Sequence, residues 1–559
     1  MQREGLAESS DRAERFACKR SAPIVSDVKL RFFLARRGLF RACFLLALAA
    51  PLFAAPAVLD SELKIRNVLN TGVDSFRLVL NPADGALYYL KVNGDLYRVN
   101  LSNQAGASTS TLVYSKTDHG VGSAAGLAIG EDGTVYLTSN SVTTNHTVST
   151  VTKGVRNATA GTRSWSILAQ TVPIPGGARI FNHQMNAIVL SPDGKSVFVN
   201  IGARTDHGEI QTDDGAFPGL REVGLTTILL RLPSNGTNIV LPNDREQLRN
   251  LGYLYCEGLR NTYDLAFAPN GDLFGVENGP DRDMPEELNW LREGHHYGYP
   301  WRMGTEDNPQ RFPNYNPAGD KLLNANYYAV SHNTYQNDPA FPAPPGPFTD
   351  PVINMGPDAD SIRDPETGGV LNASAVGRTI STFTAHRCPL GLSFDHLGAF
   401  GSKFRGNAFA VSWTQGQPSG NTGSGPFNDA SQDLLHLKLI FAGTNYQVQA
   451  TQIASGFNQP VDTEIVGNKL YVLENGGSEG LWEISFPAAP LPLLTDASWS
   501  ADQFFEVTLR GASQSNYVLE ASPNLFDWVF LTNYTGGITP VIFREPASQV
   551  LRFYRARPR

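Results

Sequence analysis

The alternation of apolar and polar positions repeats one phrase along the chain. An apolar run of strand length leads into a tight Asp/Asn/Gly turn, and a second apolar run follows. FRLVLNPADGALYYL turns at Asp84-Gly85, GLAIGEDGTVYLTS at Asp132-Gly133, and AIVLSPDGKSVFVNIG at Asp193-Gly194. DLAFAPNGDLFGVENG turns at Asn270-Gly271 and DTEIVGNKLYVLENG at Gly467-Asn468, while GLSFDHLGAFGSKFRGNAFAVSW has a longer turn. Asp-Gly and Asn-Gly supply the positive φ of a two-residue hairpin turn. Val, Tyr, Phe and Leu on both arms supply the strands. Further short strands follow, such as GDLYRVN and TTILLRLP. The pattern predicts an all-β fold with sheets of about four strands repeated around an axis, a β-propeller. Six copies predict six blades.

The copies are unevenly spaced. Pro, Asn and Asp dominate the largest insertion, from about Tyr299 to Asp364, and a loop of that length inside a compact domain is usually functional or disordered. The propeller is expected over residues 58–486. A Pro-rich linker is expected over 487–496. Residues 497–559 read as short strands, FFEVTLRG, SNYVLEAS, WVFLTN, PVIFRE and LRFYRA, and predict a small β-sandwich-like module of structural or adhesive role.

Residues 1–57 read as an extension and signal peptide. Arg36, Arg37 and Arg41 precede the apolar run 42–50, and Ala55-Pro56-Ala57 fits a small-x-small cleavage site. The run is short for a membrane span, so no stable span is expected after processing, and a periplasmic or secreted location is expected. Removal would leave 35 basic against 48 acidic residues, a net charge of −13. No basic block stands out in the body, so nucleic acid is not an expected partner. Cys256 and Cys388 would remain, as one disulfide or as two buried thiols.

Ligands of propellers gather where loops of several blades meet, so residues at equivalent ends of different repeats are candidates. His183 and Gln184 precede the third hairpin, Arg260 and Asn261 the fourth, and His386 and Arg387 the fifth. Asp118 and His119 precede the second at a looser distance. Histidine suits general-base work near neutral pH, and arginine stabilises a developing oxyanion. Hydrogen-bonded loop residues are the plain alternative. After the third hairpin, RTDHGEIQTDDGAFPG offers Asp206, His207, Glu209, Asp213 and Asp214, to bind a metal, to orient His183, or as a solvated loop. After the fourth, VENGPDRDMPEELN pairs a Gly279-Pro280 turn with Glu277, Asp281, Asp283, Glu286 and Glu287. Calcium takes carboxylate and carbonyl oxygens together, although EF-hand spacing is absent.

GLRNTYDLAFAPNGDLFGVENGPDRDMPEELNWLREGHHYGYPW and NHQMNAIVLSPDGKSVFVNIG resemble the soluble quinoprotein glucose/sorbosone dehydrogenases, including aldose sugar dehydrogenases. The resemblance is sharp over 180–205 and 258–301. It implies a six-bladed propeller that oxidises a sugar or related alcohol with pyrroloquinoline quinone and calcium. By position it implies His183 as the base, Arg260 as the group stabilising the reduced cofactor's oxygen, and cofactor contacts at Gln184, Asn261 and Asn278. The carbonyls of Gly279 and Pro280 would hold a calcium beside the cofactor, and Glu287 with the Tyr297 carbonyl a structural one. The chain departs from the family in three places. Thr262-Tyr263-Asp264 replaces Pro-Gln-Gly, and Ala203 stands where an acid orients the histidine. No Lys or Arg occurs in VSWTQGQ or GFNQPVD, where the family grips the quinone carboxylates, so His386, Arg387 or Arg204 would substitute.

Expected partners are a sugar or alcohol substrate, an electron acceptor and, in a homodimer, a second copy of the chain. The alternative readings are a non-catalytic carbohydrate- or protein-binding propeller and a calcium-dependent lactonase-like hydrolase.

Overall fold

The computed structural model describes residues 55–559, apart from 158, 160, 178–180, 213–214, 415–425, 428, 430, 477–479, 490–491, 501, 511–515, 537–540 and 547–551. Most of the leader, together with Asp213 and Asp214, lies outside the described residues. Among the described residues the fold is nearly all-β, with short α-helices at Lys116–His119, Arg245–Asn250 and Tyr328–Ser331 and three 3-10 turns. No helix among the described residues is long and apolar enough to cross a membrane.

Six sheets follow one another along the chain. Their first strands are Ser75–Asn81, Ala124–Ile129, Met185–Leu190, Thr262–Phe267, Pro389–Phe394 and Pro460–Val466, and each continues outward through antiparallel neighbours. These innermost strands touch in chain order, and the last touches the first. The sixth sheet takes its outer strand, Lys64–Asn70, from the start of the propeller region, paired with Gly480–Ser485.

Strand alternation explains the cores. In Ala86–Lys91, Leu87 and Tyr89 enter the core shared with the sixth sheet, while Tyr88 and Leu90 enter the core shared with the second. Both faces are buried, so the strand reads as a nearly unbroken apolar run. The same sharing recurs between every consecutive pair of sheets.

The turns differ from the expected two-residue loops. Only the sixth, Gly467-Asn468 between paired Val466 and Lys469, is of that kind. In the first, Pro82 to Gly85 separates paired Asn81 and Ala86. Longer loops built on a type I turn end in a left-handed residue, and Gly85, Gly133, Gly194 and Gly271 all have positive φ. The Asp or Asn beside each glycine has a second task. Asp84, Asp132, Asp193 and Asn270 each accept the backbone N–H two residues on. That bond is a second local signal for the turn beside the glycine.

An innermost strand has an unpaired edge, and polar side chains of its neighbours cover it. Asp462 accepts the N–H of Leu78 at 2.8 Å, Glu464 that of Leu80 at 2.9 Å, and Asp264 that of Leu392 at 2.8 Å. Asn140 donates to the Met185 carbonyl, and Asn200 to that of Thr262.

Beyond the sixth sheet, the Pro-rich segment is held rather than free. Gly401 donates to the Pro487 carbonyl at 2.6 Å, and Ala489 to that of Ala399 at 2.7 Å. A strand begins at Leu493, inside the expected linker. Two three-stranded sheets follow, Leu493–Trp499 with Phe504–Arg510 and Val541–Pro546, and Val529–Thr535 with Asn516–Ser522 and Phe553–Pro558. Their shared core holds Val507, Leu509, Tyr517, Leu519 and Tyr534. Cys256 and Cys388 are buried free thiols, so the disulfide alternative is not realised.

Candidate functional site

The candidates of the third and fourth sheets are joined by a backbone ladder. The His183 N–H donates to the Ala203 carbonyl at 2.7 Å, and the Ala203 N–H donates to the Arg260 carbonyl at 2.7 Å. On the far side of Arg260, the Asn278 N–H donates to the Asn261 carbonyl at 3.2 Å. The close approach depends on Gly202. A Cβ there would lie 2.6 Å from the His183 Cβ and 2.8 Å from the Arg260 carbonyl oxygen.

Arg260 is buried and held by several acceptors. Its Nε donates to the Asp206 carbonyl at 2.8 Å, its Nη2 to Asp206 Oδ1 at 2.8 Å, and its Nη1 to the Asn278 carbonyl at 3.0 Å. Asp206 is fully buried and also accepts from His207 Nδ1 at 2.7 Å, the Asp281 N–H at 3.1 Å and the Tyr335 hydroxyl at 3.3 Å. Burial opposes its ionisation. The His207 hydrogen bond and the Arg260 charge outweigh burial and hold its pKa down at about 2. His207 stacks on Tyr335 at 3.7 Å. Burial alone would lower its pKa, but Glu209 and Asp206 raise it.

Asn261 accepts from Asn186 at 3.1 Å. Asn278 donates toward the carbonyls of Asn261 and Pro389, at 3.3 and 3.4 Å, which brings in the fifth sheet. Glu286 links the Gly279 turn to that sheet, accepting the Gly279 N–H at 3.4 Å and the Cys388 N–H at 2.5 Å. The carboxylates that sequence reasoning left without a task hold the insertion. Asp281 accepts the Ala329 N–H at 2.9 Å, and Asp283 bridges Arg363 and His386 at 2.5 and 2.9 Å. Arg282 pairs with Asp320 at 2.9 Å.

Each cation offered as a grip for quinone carboxylates has partners within the chain. His386 pairs with Asp283, and its ring lies 4.2 Å from that of Tyr327. Arg387 is buried against Asp429 and Asp433. Arg204 donates to the carbonyls of Pro175, Leu220, Arg221 and Gln211. His119 is engaged with the Gly94 carbonyl at 2.9 Å and with the edge of Trp165. A sequence signal for these pairings existed in the number of Asp residues, but their partners are too distant in the chain for spacing to reveal.

Among the described residues, no group of three or more His, Cys, Asp or Glu side chains is arranged to hold a metal. Oxygen acceptors are nevertheless present at the proposed calcium positions. Glu277 and Glu287 are buried cross-strand neighbours. Burial pushes the Glu287 carboxyl up to about 7, and burial together with the Glu287 charge also pushes Glu277 well above the usual carboxylate range. Asn289 donates to Glu287 at 2.7 Å, while its own oxygen has no hydrogen-bond donor among the described residues. The side-chain oxygens of Gln184 and Asn278 are likewise buried without a donor. Tyr297 is buried, with its N–H on the Glu257 carbonyl at 2.9 Å.

A cavity of about 820 Å³ lies at the other end of the innermost strands, among the hairpin turns, lined by Arg77, Asp264, Asp462 and Glu464. The acids there already accept backbone N–H groups.

Residues 73–330 match the family model described as glucose/sorbosone dehydrogenase. Quinoprotein glucose dehydrogenase B of Acinetobacter calcoaceticus is 30% identical over 157 residues, covering 25% of this chain and 31% of that protein. The match thus spans about a third of the length of this curated relative. Similar solved structures include the holo form of the pyranose dehydrogenase PQQ domain from Coprinopsis cinerea, at 14% identity and a TM-score of 0.46, covering 78% of this chain and 98% of that one. The PQQ-bound form of aldose sugar dehydrogenase from Streptomyces coelicolor is 15% identical at a TM-score of 0.42, covering 77% of this chain and 99% of that one.

Proposed function

We propose that this chain, which belongs to the glucose/sorbosone dehydrogenase family over residues 73–330, is an exported dehydrogenase that oxidises a sugar or related alcohol with pyrroloquinoline quinone and calcium. The six sheets in a ring support a six-bladed propeller over 58–486, and the two small sheets support a separate module over 497–559. The observation that carries the reading is the ladder bringing His183, Arg260 and the Asn278-Gly279 turn together at one end of adjacent sheets.

Pyrroloquinoline quinone, when bound, would supply the hydride acceptor for oxidation of the carbon bearing the substrate's hydroxyl. His183 takes the hydroxyl proton on its imidazole, so an aldose leaves as its lactone. Arg260 presents a guanidinium to negative charge that develops as the hydride leaves, in a buried setting where such a donor is worth most. Asn278 and Gln184 offer buried acceptor oxygens to the polar edge of the cofactor or to its calcium, and the Gly279 and Pro280 carbonyls extend that set. Glu287, the Tyr297 carbonyl and the Asn289 oxygen would hold the structural calcium, whose charge would relieve two facing carboxylates. Asn261 braces the Asn278 turn.

The observation favouring a second reading, a binding propeller without catalysis, is that His386 is hydrogen-bonded to Asp283 and Arg387 is ion-paired with Asp433 within the chain. A tricarboxylate cofactor would have to compete with Asp283, Asp429 and Asp433 for them. Quinone titration of calcium-loaded protein separates the two readings. A saturable absorbance change supports the dehydrogenase, and no saturable binding supports the binding module. Turnover of lactones without quinone would instead support a hydrolase. In active holoenzyme, His183→Ala is expected to lower kcat by about 100-fold or more, and undiminished turnover would remove the assigned base.

A further inference from the structure

We infer that Asp206 is a positioning residue for Arg260, an inference that rests on the dehydrogenase reading for its catalytic meaning. The position three residues earlier, where the resembling family keeps an acid for the histidine, is Ala203, whose methyl group cannot orient an imidazole. The loop Ala203 to Glu209 then places its buried acid on the arginine instead. Asp206 grips Arg260 twice, by its carbonyl to Nε and by Oδ1 to Nη2. Two N–H groups on one residue fix the plane of the guanidinium and direct Nη1 to the Asn278 carbonyl, beside the proposed cofactor turn.

Asp206 is itself over-determined. The Asp281 N–H, His207 and the Tyr335 hydroxyl converge on its two oxygens, and the N–H groups of Asp206 and His207 both bind Glu209, at 2.9 and 2.8 Å. Tyr335 belongs to the insertion, and Asp281 to the acidic segment that anchors it. The insertion thus reaches the proposed catalytic arginine through one carboxylate. A guanidinium held in this way meets developing charge without reorganising, the condition under which an electrostatic donor accelerates a reaction.

The test is a kinetic cycle in quinone- and calcium-loaded protein with wild type, Asp206→Asn, Arg260→Lys and the double variant, each shown by its melting curve to be folded at the assay temperature. Asp206→Asn is expected to lower kcat by about 10- to 100-fold with KM within about threefold, and Arg260→Lys by about 100-fold. The double variant is expected to be no slower than Arg260→Lys alone. Multiplying losses, or an Asp206→Asn kcat within twofold of wild type, overturn the inference. A second arm needs no turnover. In the ligand-free structure of Asp206→Ala, the guanidinium is expected to leave hydrogen-bond distance of the Asn278 carbonyl, and an unmoved guanidinium overturns the inference. If Asp206→Ala does not fold, Asp206→Asn serves in both arms. Wild type that neither binds quinone nor turns over defeats the dehydrogenase reading alone, and the ligand-free arm still decides the positioning role.

Discussion

At the scale of single residues, the site is built by one absent side chain and one buried acid. Gly202 lets the His183 and Arg260 segments meet, since a Cβ there would lie 2.6 Å from the His183 Cβ. Gly202→Ala is expected to destabilise the protein by about 1–3 kcal/mol through overpacking, and to lower turnover more than stability explains. Melting curves and kcat measured on one preparation check both. Asp206 and His207 set opposite pH limits. The Asp206 carboxyl is held at about 2 against 3.8, so its stabilisation is present above about pH 4 and is lost as pH falls towards 2. It amounts to about 2 kcal/mol in this fully buried group. His207 is shifted upward, so its contribution is complete below about 6.5 and fades as pH rises through the raised value. Denaturant midpoints across pH, compared with Asp206→Asn, should show the acid limb flatten in the variant.

At the scale of elements, alternation and turn chemistry were legible, and long-range pairings were not. All six hairpins form where the sequence places them, because apolar arms and Asp/Asn/Gly turns are local signals. Turn length was misjudged, since an Asp-Gly pair serves a type I turn with a left-handed glycine as well as a two-residue loop. His183 and Arg260 drew notice by their equivalent places before hairpins, and Asn278 through the family resemblance; the structure joins their segments by backbone hydrogen bonds. The hydrogen bond of Asp283 with His386 and the ion pair of Arg387 with Asp433 were not, because they join residues distant in the sequence. Asp283 is the element-scale anchor of the insertion. Asp283→Asn is expected to leave Arg363 and His386 short of a buried charge partner and to cost about 3 kcal/mol. Limited proteolysis should then cut within 300–364 before the sheets are attacked.

At the scale of the molecule, the all-β class was readable, and so was the succession of hairpins along the chain. Ring closure was not. The strand Lys64–Asn70 carries too little alternation to announce that it belongs to the last sheet, and its partner Gly480–Ser485 lies at the far end of the region. The linker was likewise read from proline content alone, which says nothing of the bonds from Ala489 and Gly401 that pin it. Deleting residues 58–70 should leave an open edge along Gly480–Ser485. Concentration-dependent association in light scattering is expected for that variant and not for the intact chain.

Ring closure also sets a timetable. Lys64–Asn70 leaves the ribosome first among the strands of its sheet, yet Arg66 must wait for Glu483, 417 residues later, before its ion pair can form. During synthesis, the first-made strand of the last sheet has no mate, while the five sheets between are free to assemble. Such a late, non-local join makes the final step of folding slow. Throughout that wait, the strand can be captured by the corresponding edge of another nascent chain. A chain crossing a membrane unfolded would meet the same delay on the far side, where holding Lys64–Asn70 apart from strangers is a task for chaperones rather than for the fold.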